Sequence, residues 1–171
     1  MYKTLLVATD GSALSDLAVT QAVDLAAALR ARLVILTASE PFHLLTTEAE
    51  QIADTEDIYR RTMQQRADRV LGAAAEKAAA SGVAAATVHV ENDHPFEAII
   101  ATAAREKCDL IVMASHGRRG FSALVLGSQT TKVLTHSTIP VLVVRAEAAA
   151  AEHVAAAGHA FPGAALSTRR D

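Results

Sequence analysis

The stretch Leu5-Leu6-Val7-Ala8-Thr9-Asp10-Gly11-Ser12 changes character halfway along. Its first half is a continuous apolar run, the pattern of a strand buried on both faces, and its second half is turn chemistry. Immediately after it, Leu14, Leu17, Ala18, Gln21, Ala22, Leu25, Ala28 and Leu29 recur at spacings of three and four. That period predicts an amphipathic helix over 13–31, with Ser12 as its N-cap. A second apolar run, Leu33 to Ala38, reads as the next strand.

Working outward, the same alternation continues. Pro41 and the loss of periodicity predict a surface loop over 39–48. Ile52, Tyr59, Met63, Val70, Leu71, Ala74 and Ala78 then mark one face of a long helix that ends near Ser81-Gly82, where glycine can take the left-handed conformation. A strand is expected over 83–91, and a helix from Pro95, with proline at the first helical position and Glu97 in the first turn. A fourth strand spans 109–114, and a glycine-punctuated stretch from Gly117 to Gly127 leads to a short helix capped by Ser128 and reaching about 137. The run Ile139-Pro140-Val141-Leu142-Val143-Val144 is a fifth strand, and its proline places it at a sheet edge. Strands alternating with helices, joined by right-handed crossovers, give a single α/β domain: an open parallel sheet with helices on both faces. In such sheets ligands sit beyond the carboxyl ends of the strands.

Composition narrows the function. The chain has 171 residues, 51% hydrophobic and 20% charged, enough for one core plus some excess. The domain is expected over 1–146, with an Ala-rich C-terminal tail, 147–171, broken by Gly158, Pro162 and Gly163 and mobile or loosely docked. Lys and Arg number 16 against 19 for Asp and Glu, a net charge of −3 that disfavours nucleic acid as a partner. The single cysteine, Cys108, excludes an internal disulfide, suits a reducing cytoplasmic setting and reads as a buried small hydrophobe. No apolar run suits a signal segment or a membrane span. The seven histidines show no helical i, i+4 pair, so no metal site is expected.

Several residues are candidates for chemistry. Gly117, Gly120, Gly127 and Ser128 lie between a buried strand and a helix start, where backbone N–H groups and the helix dipole favour a phosphate; a long connection also simply needs flexible residues. Asp10 ends the first strand, where its carboxylate is placed either to accept from ribose hydroxyls or to form a turn. Arg118 and Arg119 suit phosphate oxygens or a solvated surface, and His116, on the same loop, suits a nucleotide contact or a structural role. Neither a Gly-x-Gly-x-x-Gly fingerprint after the first strand nor a P-loop occurs. No Ser-His-acid arrangement stands out, and no Asp or Glu falls within 114–130 to position a metal near phosphates.

Val7-Ala8-Thr9-Asp10-Gly11-Ser12, Met113-Ala114-Ser115-His116-Gly117-Arg118-Arg119-Gly120 running to Gly127-Ser128, and Ile139 to Val144 together resemble the universal stress protein family, over residues 3–145. The family's ATP-binding pattern is Gly-x-x-Gly, nine residues, then Gly followed by Ser or Thr. Here Ala114 stands at the first glycine, and Gly117 and Gly127-Ser128 match the rest. The resemblance implies strand order 3-2-1-4-5 and a homodimer through the fifth strand, residues 139–145. It also implies an ATP site, with or without Mg²⁺, in a stress-response and signalling module. Asp10, with Ala8 and Thr9, would meet the ribose or adenine side, and Ala38 would line the adenine pocket. Met113 and Ala114 would flank the ribose, and Gly117, Gly127, Ser128 and the Gln129 amide would hold phosphates. The competing expectations are a nucleotide-free dimeric interaction protein and a slow ATPase using the same crevice.

Overall fold

The computed structural model describes residues 1–42, 49–115 and 126–145. Its elements run β1 (Thr4–Ala8), α1 (Ala13–Leu29), β2 (Arg32–Ser39), α2 (Ala49–Ala80), β3 (Ala85–Glu91), α3 (Pro95–Arg105), β4 (Leu110–Ala114), α4 (Ser128–His136) and β5 (Val141–Val144). All ladders are parallel, and the five strands lie in the order β3-β2-β1-β4-β5.

The continuous apolar runs are explained by where their side chains go. Successive strand residues point to opposite faces. Leu5, Val7, Leu33, Ile35 and Val112 therefore pack against α1 and α2, in one core layer with Ala18, Ala22, Ala26 and Leu71. Leu6, Val34, Leu36, Ile111 and Met113 point the other way, into a second layer with Ile99 and Ala103 of α3 and Val133 of α4. Alanines on α1 let that helix lie close to the sheet. Asp109, just before β4, accepts from the N–H groups of Lys3 (2.7 Å) and Thr4 (3.2 Å) and fixes where β1 starts against β4.

Element ends differ from expectation for local reasons. Helix α1 stops at Leu29, because Arg30 takes a left-handed conformation (φ 54°) and donates its N–H to Ala26 and Ala27 carbonyls, a stop without the usual glycine. At the other end Ser12 caps α1 as expected, its hydroxyl accepting from Ser15 N–H. Gly82 ends α2's turn at φ 69°, and Val83 belongs to that turn, its N–H bonded to Ala78, so β3 begins at Ala85. Strand β5 begins after Pro140, at Val141, so the proline's missing N–H removes no ladder bond. The strand does lie at the sheet edge. The N-cap of α4 is Gly127, not Ser128, which is the helix's first residue. Ser39, expected to open the loop over 39–48, instead ends β2 because its ladder with β3 continues to Glu91. Positions 43–48 of that loop, the stretch 116–125 and the expected tail over 147–171 lie outside the described residues.

Two outcomes follow from this packing. Leu6→Ala, at a fully buried position on the α3/α4 face, is expected to lower unfolding free energy by roughly 2–5 kcal/mol in urea denaturation. Cys108 is buried, and burial first, then the Glu106 charge, pushes its thiol up to about 11. The folded protein therefore holds this proton over a range in which the unfolded chain releases it. Stability contributed by the shift is present below pH 9.0 and is lost as pH rises toward about 11. A Cys108→Ala variant should show a shallower alkaline loss of stability, and native Cys108 should resist a thiol reagent at pH 8.

Candidate functional site

The sheet reverses its strand order between β1 and β4, so their carboxyl ends bound a crevice. The turn leaving β1 is held from within. Thr9 N–H donates to the Leu36 carbonyl (2.9 Å), which carries the β1–β2 pairing one residue further. The Thr9 hydroxyl lies 3.0 Å from that of Ser15 and accepts from Gly11 N–H (3.2 Å). Asp10 Oδ1 accepts from Ser12 N–H (3.0 Å), and Gly11 takes φ 75°, a conformation glycine adopts without strain. The turn-forming role weighed for Asp10 is thus real, and it leaves the half-buried carboxylate on a cavity wall.

On the other side of the crevice, hydrogen bonds join the end of β4 to the start of α4. Gly127 N–H donates to the Ser115 carbonyl (2.8 Å), Ser115 N–H to Val144 (2.8 Å), and the Thr130 hydroxyl to the Ala114 carbonyl (2.9 Å). No acidic residue lies in the first turn of α4, and Gly127 supplies no side-chain cap. The helix start therefore presents N–H groups without a side-chain acceptor of its own. The Gln129 side chain is committed elsewhere, its Oε1 accepting from Phe96 N–H (3.1 Å) at the start of α3.

Three of the sequence-nominated residues have buried side chains. Thr9 is buried in its hydrogen bonds, Met113 is buried in the α3/α4 layer, and Ala114 is buried in the α1/α2 layer. At Ala114 the methyl that replaces the motif's first glycine therefore points into the core. Ala8 is half-buried against the α3/α4 layer. His116 and Gly117, with Arg118, Arg119 and Gly120, fall outside the described residues.

Asp10 and Ala38 share one cavity of about 320 Å³, and its far wall was not nominated from sequence. Tyr59, Met63 and Arg66 of α2 and His89 of β3 line it. Tyr59 is anchored by its hydroxyl, which donates to the Glu40 carbonyl (2.9 Å), and by the Phe42 ring at 5.4 Å. The sequence signal was present: Tyr59, Met63, Arg66 and Val70 continue the helical stripe of Leu71 and Ala74, and a cation in an inward stripe is out of place. His89 gave no such signal, because its partners are remote in sequence.

The orientation of His89 follows from those partners. Gln64 Nε2 donates to Asp68 (2.7 Å), which turns Gln64 Oε1 toward His89 Nδ1 (3.1 Å). Nδ1 must then donate, so in the neutral ring Nε2 accepts from the Ser39 hydroxyl at 2.9 Å. This Ser-His contact has a neutral carbonyl, not a carboxylate, behind the imidazole. An imidazolium formed there would lack the stabilisation a nucleophilic triad needs. As an array of hydrogen-bonding groups beside apolar Ala38 and Met63, it suits the edge of a heterocycle. No group of three His, Cys, Asp or Glu residues able to hold a metal occurs among the described residues.

Comparison with known proteins agrees with the sheet order. The sequence profile of the Universal stress protein family matches residues 1–145. A universal stress protein from Thermus aquaticus is 35% identical over 147 residues, covering 85% of this chain and 100% of that protein. A universal stress protein solved in complex with cAMP is 30% identical at TM-score 0.59, covering 84% of this chain and 97% of that one. A Methanocaldococcus jannaschii protein shares the fold at TM-score 0.73 and 24% identity, over 86% of this chain and 98% of its own. With its parallel β3-β2-β1-β4-β5 sheet and a profile match across the whole described domain, the chain belongs to the universal stress protein family.

Proposed function

We propose that this protein binds an adenine nucleotide, ATP with or without Mg²⁺, in the crevice over β1, β2 and β4. On this reading it acts as a cytoplasmic stress-response module through binding, not turnover. The observation that carries the reading is that Asp10, at the end of β1, and Ala38, at the end of β2, line one cavity. A carboxylate there accepts from ribose hydroxyls, and the apolar side of the same cavity takes an aromatic base. The donor set also suits phosphates, since the start of α4 carries N–H groups and no acid in its first turn. A bound Mg²⁺ would neutralise phosphate charge and rely on phosphate and water oxygens, since the described residues offer no acidic cluster. The complex of a 30% identical relative with cAMP supports the adenine class.

The reading includes a homodimer through β5. This strand lies at the sheet edge with one unpaired ladder, and Leu142 on it is 38% exposed. Val141 and Val143 are half-buried within their own chain, so Leu142 is the cleaner probe of the interface. Leu142→Asp should convert a dimer to a monomer in light scattering at micromolar concentration; an unchanged mass would exclude β5 as the interface.

Asp10→Asn retains the oxygen that accepts from Ser12 N–H and removes the charge. It should weaken ATP binding by roughly ten- to hundredfold in calorimetry, because hydrogen bonds to a charged acceptor are the strong ones. Wild-type protein that binds neither ATP nor other adenine nucleotides, and releases none on heat denaturation, would replace this reading with that of a nucleotide-free interaction protein.

A further inference from the structure

A second cavity, of about 550 Å³, adjoins the first and shares Arg66 and Val70 with it. It lies between α1 and α2, and its charged lining consists of Arg66, Arg69 and Asp16. Asp16 is already paired with Lys77 at 2.6 Å. The ion pairs among the described residues are Arg32–Glu106, Arg60–Glu56, Lys77–Asp16 and Arg105–Glu106, and neither Arg66 nor Arg69 is in any of them. Arg69 makes only a 3.4 Å contact with the Gln65 carbonyl of its own helix. Arg66 is half-buried in the wall between the cavities, within reach of both.

We propose that Arg66, supported by Arg69, forms an anion subsite that takes a phosphate group of the bound ligand on the α1/α2 face of the sheet. This inference rests on the nucleotide reading and extends it. Helix α4 packs on the other face, so its N–H groups and the Arg66 guanidinium address different ends or sides of a ligand. Asp10 and Arg66 line the same cavity. One is a hydroxyl acceptor and the other a phosphate donor. That combination fits a sugar phosphate better than a neutral nucleoside or a bare heterocycle. A guanidinium presents two parallel N–H groups to a phosphate, which a lysine at the same place cannot reproduce in geometry, although it keeps the charge.

The test compares wild type with Arg66→Ala, Arg66→Lys and Arg69→Ala in calorimetric titrations with adenosine, 5′-AMP, 3′-AMP and inorganic pyrophosphate. Arg66→Ala should weaken at least one of the phosphorylated probes about tenfold and leave adenosine within about twofold, with partial recovery in Arg66→Lys and a smaller loss in Arg69→Ala. Which of 5′-AMP and 3′-AMP responds assigns the subsite to one side of the ribose. Equal losses for adenosine and the phosphorylated probes in Arg66→Ala, or no loss for any, would overturn the subsite while leaving nucleotide binding intact. Arg66-dependent pyrophosphate binding without adenosine binding would uphold the subsite and refute the nucleotide reading. Wild-type protein that binds none of the four probes overturns the subsite, and the ATP titration decides the nucleotide reading separately.

Discussion

Burial of β1 on both faces is the constraint from which the rest of the architecture follows. Leu5, Leu6 and Val7 are each 0% exposed, yet adjacent strand residues face opposite ways. One helical layer cannot cover them. The chain must supply two, which it does with α1 and α2 on one side and α3 and α4 on the other. Parallel strands flanked by helices all end at the same edge, so the turns after β1, β2 and β4 are delivered together without any contact dedicated to that purpose. Asp10 and Ala38, twenty-eight positions apart, share a cavity for this reason.

The crevice is also made rigid unevenly. The turn after β1 is tied by the Thr9, Asp10 and Ser12 hydrogen bonds, and α4 is tied to β4 through Ser115, Gly127 and Thr130. These are local bonds that replace lost ladder partners at strand ends, and they fix the walls of the crevice. The opposite wall has no strand in it apart from His89 and the end of β2. It is built by side chains of α2.

This division explains what could be read from sequence. The strands and helices were legible because burial imposes period two and period 3.6 on neighbouring residues, and the Asp10 and Gly127 positions followed from where those periods break. Side-chain direction at single positions was not legible. Met113 and Ala114 sit at the crevice by position, but each points into the interior, and only packing against the flanking helices decides that. The Arg30 stop of α1 was hidden as well, since a non-glycine residue in a left-handed conformation leaves no compositional mark. Pairings across long separations, such as His89 with Ser39 and Gln64, exist only once the sheet is assembled.

Helix α2 has 32 residues, roughly 48 Å at about 1.5 Å per residue, against strands of at most 8 residues. It outruns the sheet. Its C-terminal half carries Leu71, Ala74 and Ala78 into the core, while Tyr59, Met63 and Arg66 line the cavity at the carboxyl ends of β2 and β3. Core packing and cavity lining are thereby written on separate segments of one helix. Substitutions at 59, 63 and 66 change the lining of the cavity without altering a strand or a fully buried side chain, at the small stability cost typical of half-exposed positions. Within such a scaffold, the shape and charge of the cavity can diverge between descendants while the sheet beneath it stays the same.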